Sequence, residues 1–182
     1  MFANQLKYVL SALLTAALAP LQAKAACPDF LDHDLRKLHS STKVNLCEVA
    51  SEKPLLIVNT ASHCGYTPQF AGLEALQQEY AEEGLVVIGF ASNDFRQAAK
   101  TEEEAASICY KNYGVSFLML APTQVKGDDA NPVFAELARQ AGPPRWNFNK
   151  YLVDRSGKVT EQFGSATAPD SAKLRNAVED LL

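Results

Sequence analysis

The sequence predicts an α/β domain with a mixed, mostly parallel central sheet, helices on both faces and a β-hairpin at its N-terminal end. Continuous apolar runs, typical of strands buried on both faces, lie at 55–59 (LLIVN) and 85–90 (LVVIGF). These runs alternate with segments of helical periodicity, and such alternation favours parallel pairing. The segment 154–157 (DRSG) is typical of a tight turn between two short strands, which adds an antiparallel edge.

Capping residues indicate where the helices begin. The first helix follows Pro68, the second begins at a capping box headed by Thr101, and the third follows Asn131. A further strand is predicted at 115–121, and a last helix begins at about Asp170. The resulting order is a hairpin followed by β-α-β-α-β-α-β-β-α, which is the plan of a thioredoxin-like fold.

The N-terminal hairpin is predicted between Cys27 and Lys53, because the segment 43–49 alternates like an edge strand. Residues 1–25 have the features of a cleavable signal peptide. A positive residue precedes an apolar run that is too short to span a bilayer comfortably, and an AKA tripeptide matches a cleavage site. The alternative is an N-terminal amphipathic or core helix. We therefore expect residues 26–182 to form a single domain of an exported, periplasmic or secreted protein with no stable membrane insertion.

Composition and charge narrow the class of protein. The chain has 182 residues, of which 47% are hydrophobic and 21% charged, which suits one globular domain. Cleavage would remove two of the 17 basic residues and none of the 21 acidic ones, leaving a net charge of −6. Nucleic acid and anionic membranes are therefore poor candidate partners. No segment has metal-ligand spacing, and we expect no cofactor.

Cys64 is the candidate nucleophile. It follows the first apolar strand and precedes a helix, where the helix dipole and unpaired backbone N–H groups favour the thiolate. Thr67 occupies the place of the second cysteine of a thioredoxin CxxC motif, so Cys64 has no neighbour with which to close a disulfide. The alternative, a cysteine packed as a small apolar residue, is disfavoured because Ser62, His63 and Gly65 are not core residues.

Three segments carry a resemblance to the glutathione peroxidase family. They are 59–69 (NTASHCGYTPQ), 146–153 (WNFNKYLV) and 90–95 (FASNDF, where the family has FPCNQF). The similarity runs from about Pro54 to the C-terminal end. It implies a thioredoxin-like fold and reduction of hydrogen peroxide or of organic and lipid hydroperoxides by thiols, in the response to oxidative stress. The implied reductant is glutathione or a thioredoxin-like protein.

The peroxidase chemistry needs hydrogen-bond donors that carry no negative charge. A thiolate attacks one peroxide oxygen, and the other leaves as an oxyanion that must be protonated or stabilised. The indole N–H of Trp146 and the amide N–H₂ of Asn147 meet this requirement. The alternative for Trp146 is a core aromatic residue, which its place in the motif beside Asn147 disfavours.

Asp94 departs from the family, which has glutamine at this position. An ionised aspartate only accepts hydrogen bonds, and two unit charges about 4 Å apart at an effective dielectric constant of about 20 repel by roughly 4 kcal/mol. Either Asp94 is protonated and donates, or it turns away to solvent and a backbone N–H or Asn93 substitutes. We favour the second alternative, because an aspartate in a surface loop rotates at little cost.

The remaining cysteines suggest how oxidised Cys64 is recycled. Cys109 lies in a segment that resembles the resolving-cysteine segment of two-cysteine, thioredoxin-dependent members of the family, although a structural role within a packed helix is the alternative. Cys27 and Cys47 then remain for each other. A disulfide between them would close a 20-residue span and contribute about 3 kcal/mol as a structural cross-link.

Two other functional classes remain open from the sequence. One is a redox sensor in which the same disulfide changes the state of a partner, and the other is a non-catalytic thioredoxin-fold module in which Asp94 marks lost activity. The short segment 124–145 lacks the longer insertion that tetrameric relatives of the family carry, as the resemblance implies. We therefore expect a monomer with an open active site.

Overall fold

The computed structural model describes residues 27–50 and 52–182, so the predicted signal peptide at 1–25 lies outside the described residues. The predicted fold class is confirmed: a central sheet is flanked by helices and preceded by an antiparallel hairpin. The strands are β1 (Asp34–Arg36), β2 (Lys43–Asn45), β3 (Leu55–Thr60), β4 (Val86–Ala91), β5 (Leu118–Leu120), β6 (Lys150–Val153) and β7 (Val159–Phe163). The helices are α1 (Leu46–Ala50), α2 (Gln69–Tyr80), α3 (Glu102–Ala106), α4 (Pro132–Ala141) and α5 (Ala172–Glu179), and a π-helical turn (Ser107–Asn112) continues α3.

The central sheet has the strand order β5-β4-β3-β6-β7. The β3–β4 and β4–β5 pairs are parallel, whereas the β3–β6 and β6–β7 pairs are antiparallel. The sheet is therefore evenly mixed and not mostly parallel, because the strands of the closing hairpin account for both antiparallel pairings. In that hairpin the N–H of Gly157 donates to the carbonyl of Asp154 at 3.0 Å, which forms the predicted turn.

Strand β3 lies at the centre of the fold and is buried along its whole length. Leu56 and Val58 face a core that includes residues of α2 and α5, and Leu55 and Ile57 face a second core that includes residues of α4 and the N-terminal segment. Since alternate residues of a strand point to opposite faces, a continuous apolar run is what a strand covered on both faces requires.

The helix caps predicted at Thr101 and Asn131 are both present in the structure. The Thr101 hydroxyl accepts from the N–H of Glu104, and the side-chain oxygen of Asn131 accepts from the N–H of Phe134, both at 3.1 Å. The strand predicted at 115–121 is shorter in the structure and comprises Leu118–Leu120.

The edge strand predicted at 43–49 is correct only in its first half. Strand β2 ends at Asn45, and α1 follows it. The side-chain oxygen of Asn45 accepts from the N–H of Cys47 at 2.8 Å and so satisfies a donor at the start of the helix. Leu46 and Ala50 are both buried four residues apart, which is helical spacing, and burial of this pair outweighs the alternating pattern.

The predicted disulfide between Cys27 and Cys47 is present, with a Cα–Cα distance of 5.7 Å. It joins the start of the described chain to α1, at the N-terminal end of the domain. Cys64 and Cys109 are both free thiols. Within residues 27–50 and 52–182, no helix has the length and apolar character needed to cross a membrane.

Candidate active site

Cys64 lies in the turn that connects β3 to α2. The N–H of Thr67 donates to the Cys64 carbonyl at 3.0 Å, and the N–H of Cys64 donates to the Thr67 hydroxyl at 3.0 Å. The same hydroxyl donates to the carbonyl of Ala61 at 3.0 Å. The residue that stands where a thioredoxin has its second cysteine therefore fixes the conformation of the turn.

Cys64 is buried in the same apolar core as Phe70 and Cys109, and its sulfur receives a backbone donor. The residue is 7% exposed, and the N–H of Tyr66 lies 3.4 Å from its Sγ. The turn leads into α2, which begins at Gln69, five residues after the cysteine. The N–H of Tyr66 is therefore the donor that holds the Cys64 sulfur in this turn.

The motif that contains Trp146 and Asn147 is attached to the end of β3 by Asn59. The side chain of Asn59 donates to the carbonyl of Trp146 at 3.0 Å and accepts from the N–H of Asn149 at 3.1 Å. Its own carbonyl accepts from the N–H of Phe148 at 2.7 Å. The first residue of one sequence motif therefore holds the other motif beside the strand that leads to Cys64.

Trp146 and Asn147 lie in very different environments. Trp146 is 41% exposed and its ring packs on that of Phe95, with centroids 5.3 Å apart. Asn147 is fully buried, its Nδ2 donates to Oε1 of Gln97 at 2.9 Å, and its Oδ1 has no partner within the described part of the chain. Within the described part of the chain, the hydrogen bond to Sγ of Cys64 is donated by the backbone N–H of Tyr66 alone. Catalytic hydrogen bonds are often formed only when substrate is bound, so the roles of Trp146 and Asn147 remain predictions.

Gln97 is a site residue that the sequence analysis missed. Its carbonyl accepts from the N–H of His63 at 2.8 Å, and its side chain accepts from Asn147. It therefore lies between the Cys64 turn and the buried amide of Asn147. Its side chain offered a signal: the family has an amide side chain at position 94, and Gln97 supplies one three positions later.

Asp94 is turned away from this cluster. Its Oδ2 accepts from the N–H groups of Val125 and Lys126, at 2.7 and 3.2 Å. The side chain thus turns away as expected, but towards the backbone of a neighbouring loop instead of solvent. The side-chain oxygen of Asn93 accepts from the N–H of Ala98 within its own loop, and the amide that contacts Asn147 is that of Gln97.

Cys109 lies in the π-helical turn and is almost fully buried, with an exposure of 1%. Its Sγ lies 3.6 Å from the carbonyl of Ala106, and burial raises the pKa of its thiol to about 11. The thiol lines a cavity of about 210 Å³ between the ends of β3 and β4 and the start of α3, which Ala61 and Ser62 also line. π-Helical turns are rare and often lie at functional sites.

His63 connects the Cys64 turn to the helix that precedes Cys109. Its Nε2 lies 3.2 Å from Oε1 of Glu104, and Oε2 of the same carboxylate accepts from the N–H of Lys100 at 3.1 Å. Glu104 thus completes the capping arrangement at the start of α3 while it contacts His63. The contact between the His63 ring and the Glu104 carboxylate therefore connects the Cys64 turn to α3.

Lys150 is a fully buried cation near the same end of the sheet. Its Nζ donates to the side chain of Gln69 and to the carbonyls of Phe148 and Thr167, at 2.5, 2.9 and 2.8 Å. Burial lowers the pKa of the ammonium to about 8, although all three of its protons have acceptors. The lysine therefore joins the start of α2 to the loop that contains Asn147.

Comparison with known proteins identifies the family of the chain. The glutathione peroxidase family model matches residues 32–138. A glutathione peroxidase-like peroxiredoxin of Schizosaccharomyces pombe is 46% identical over 136 residues, which cover 71% of this chain and 85% of the relative. A hydroperoxy fatty acid reductase of Synechocystis sp. is 39% identical over 136 residues, covering 74% and 88%. The crystal structure of Trgpx in its apo form aligns with a TM-score of 0.65 at 28% identity, covering 85% of this chain and 96% of that one. The chain belongs to the glutathione peroxidase family.

Proposed function

We propose that Cys64 is the nucleophile of a thiol peroxidase that reduces hydrogen peroxide and organic hydroperoxides, in the response to oxidative stress. The observation that carries the proposal is the position of its sulfur. Cys64 is buried, with an exposure of 7%, in a turn fixed by Thr67; its sulfur receives the N–H of Tyr66, and α2 begins five residues later. Such a corner between a strand and a helix favours a reactive thiolate.

The chemical step follows from this arrangement. The Cys64 thiolate attacks one oxygen of the hydroperoxide, an S–O bond forms as the O–O bond breaks, and the second oxygen leaves with the electron pair. It takes up a proton and departs as water or an alcohol, while the cysteine is left as a sulfenic acid. The indole of Trp146 and the amide of Asn147, held by Gln97, are the donors for the departing oxygen.

Recycling requires a second thiol, and we assign this role to Cys109. Its thiol condenses with the sulfenic acid of Cys64, an S–S bond forms and water leaves. An external thiol, glutathione or a thioredoxin-like protein, then reduces the disulfide. Because Cys109 is almost fully buried in the π-helical turn, we propose that this turn opens so that the two cysteines reach the Cα separation of less than about 7 Å that a disulfide requires.

The substrate range and location are parts of the same proposal. The exposed ring of Trp146 supports a site open to bulky substrates, and the name of the Synechocystis relative supports fatty-acid hydroperoxides among them. The Cys27–Cys47 disulfide supports export to an oxidising compartment, periplasmic or extracellular, after removal of residues 1–25. We further propose that the mature protein acts as a monomer.

Turnover by the mature protein tests the proposal. Hydrogen peroxide and a lipid hydroperoxide are supplied with glutathione or with thioredoxin and its reductase, and peroxide consumption is followed. We expect Cys64→Ser to lower the rate at least about 1,000-fold, since the nucleophile itself is removed. Cys109→Ser retains the first oxidation of Cys64 but forms no intramolecular disulfide by mass mapping. Equal turnover by wild type and Cys64→Ser contradicts the assignment of the nucleophile, and a Cys64 disulfide within the Cys109→Ser chain contradicts that of the resolving thiol.

A further inference from the structure

The carboxylate of Asp94 connects two loops at the active-site end of the sheet. One oxygen, Oδ2, accepts from two successive backbone N–H groups, those of Val125 and Lys126, at 2.7 and 3.2 Å. These two residues lie 31 and 32 positions further along the chain. A hydrogen bond from backbone N–H to a carboxylate is stronger than one between neutral groups. Asp94 therefore fixes the loop that follows β5 against the loop that follows β4.

The second loop places a cation on the aromatic residues of the site. Lys126 Nζ lies 4.4 Å from the ring centroid of Phe95, and the Phe95 ring lies 5.3 Å from that of Trp146, tilted by 51°. These three side chains form a layered arrangement, the Lys126–Phe95–Trp146 stack. Asp94 adjoins this stack twice, since it precedes Phe95 in the chain and accepts from the backbone of Lys126. Contacts of these types are attractive but have a preferred geometry.

We propose that Asp94 is a positioning residue for Trp146. By anchoring the backbone of Lys126, the carboxylate holds the cation on Phe95, and Phe95 in turn supports one side of the exposed indole ring. The proposal rests on the function assigned above, in which the indole N–H of Trp146 donates to the departing oxygen. Asp94 itself contacts neither substrate nor sulfur and acts through the stack.

This role explains how an aspartate is accommodated where a donor is expected. A carboxylate beside the Cys64 thiolate would repel it, whereas the Asp94 carboxylate is directed away and accepts from two backbone N–H groups. Gln97, three residues later, supplies the amide that contacts Asn147. Two residues of one loop therefore divide these roles. Asp94 anchors the loop that follows β5, and Gln97 contacts Asn147.

The test uses the fact that Trp146 is the only tryptophan in the chain, so its fluorescence reports one site. The emission maximum and acrylamide quenching of the reduced protein are compared with the rate at which hydrogen peroxide oxidises Cys64. The variants are Asp94→Ala, Asp94→Asn and the matched control Asp128→Ala. Asp128 is an exposed carboxylate beside the same loop, and its replacement changes the net charge equally.

In Asp94→Ala we expect stronger quenching of Trp146 by acrylamide and oxidation of Cys64 that is about tenfold slower, because a displaced donor stabilises the departing oxygen less well. In Asp94→Asn the amide oxygen accepts from the same two N–H groups, so quenching returns towards the wild-type value and the rate to within about threefold of it. Asp128→Ala changes neither quantity.

The proposal is overturned if Asp94→Ala matches Asp128→Ala in both quenching and rate. It is also overturned if Asp94→Asn slows the reaction as much as Asp94→Ala while Trp146 is undisturbed, because negative charge and not anchoring would then matter. If circular dichroism shows that Asp94→Ala fails to fold, Lys126→Ala replaces it and has to increase the quenching in the same direction. A wild-type protein inert towards peroxide would contradict the proposed function, and the quenching comparison would still decide the role of Asp94.

Discussion

The two free cysteines are both buried in one apolar core, but their sulfur atoms have different hydrogen-bond partners. Cys64 lies in a turn, with a backbone N–H on its sulfur and a helix beginning beyond it. Cys109 lies in a π-helical turn, where its thiol faces the carbonyl of Ala106 and burial raises its pKa to about 11. The Cys64 sulfur has a backbone donor, whereas burial keeps the Cys109 thiol protonated at neutral pH.

This difference assigns different requirements to the two thiols. A peroxide-reactive cysteine attacks as the thiolate, and the N–H of Tyr66 already donates to the Cys64 sulfur in the folded protein. In the resolving role proposed for Cys109, its buried thiol has to reach the sulfenic acid of Cys64. Cys109 lies in a rare π-helical turn and lines a cavity, and this is where the proposed opening would take place.

The largest effect expected from the difference between the two cysteines is on the rate at which iodoacetamide alkylates Cys109. In Cys64→Ser protein, where Cys109 is the free thiol, a rise in pKa from 9.0 to about 11 lowers the thiolate fraction at pH 8 about 100-fold. Alkylation should therefore be slow in native buffer, rise with pH up to about 11, and become fast in urea. Rapid alkylation of the native protein at pH 8 would show that the thiol is already accessible.

The same shift has a consequence for stability. Because the folded-state pKa lies above the ordinary value, the folded protein retains the proton between pH 9.0 and about 11 whereas the unfolded chain has lost it. The stabilising contribution is thus complete below pH 9.0 and is lost as the pH rises through this window. Urea unfolding of wild-type and Cys109→Ala protein across this range measures the difference.

Gln97 tests the Cys64 side of the comparison, with a smaller expected effect. Gln97→Leu removes the acceptor of the buried Asn147 amide while it keeps a side chain of similar size. We expect oxidation of Cys64 by peroxide to slow about tenfold, because Asn147 loses its orientation as a donor. The control is Gln124→Leu, which alters an exposed glutamine in a nearby loop. A rate equal to that of the control would remove Gln97 from the site.

Local patterns were sufficient to predict most of the fold, whereas Cys64 as the nucleophile stays a prediction. The apolar runs predicted β3 and β4, and Thr101 and Asn131 predicted the starts of helices, because each signal depends on neighbours within a few residues. The helix α1 was missed because its short sequence also alternates. Burial of Leu46 and Ala50, a tertiary effect, decided between the two periodicities.

Contacts between distant segments were beyond such patterns. The partners of Asp94 lie more than 30 positions away, and Gln97 meets Asn147 across 50 positions. Lys150 belongs to the motif at 146–153, yet its three acceptors come from three separate segments. A single sequence contains no signal for such pairs, so the donors at the site were predicted by type and their arrangement was not.

The link between His63 and Glu104 provides the finest test of the comparison, because it joins the Cys64 turn to the segment that precedes Cys109. Both side chains are largely exposed, at 52% and 43%, so the contact contributes less than about 1 kcal/mol and its loss changes a rate by about fivefold at most. His63→Ala should leave the first oxidation of Cys64 unchanged and accelerate formation of the Cys64–Cys109 disulfide, since α3 is released from the turn. Rapid-quench alkylation and mass mapping measure both steps, with His33→Ala as the control at a distant histidine. Slower disulfide formation would mean that the link guides Cys109 towards Cys64 instead of restraining it.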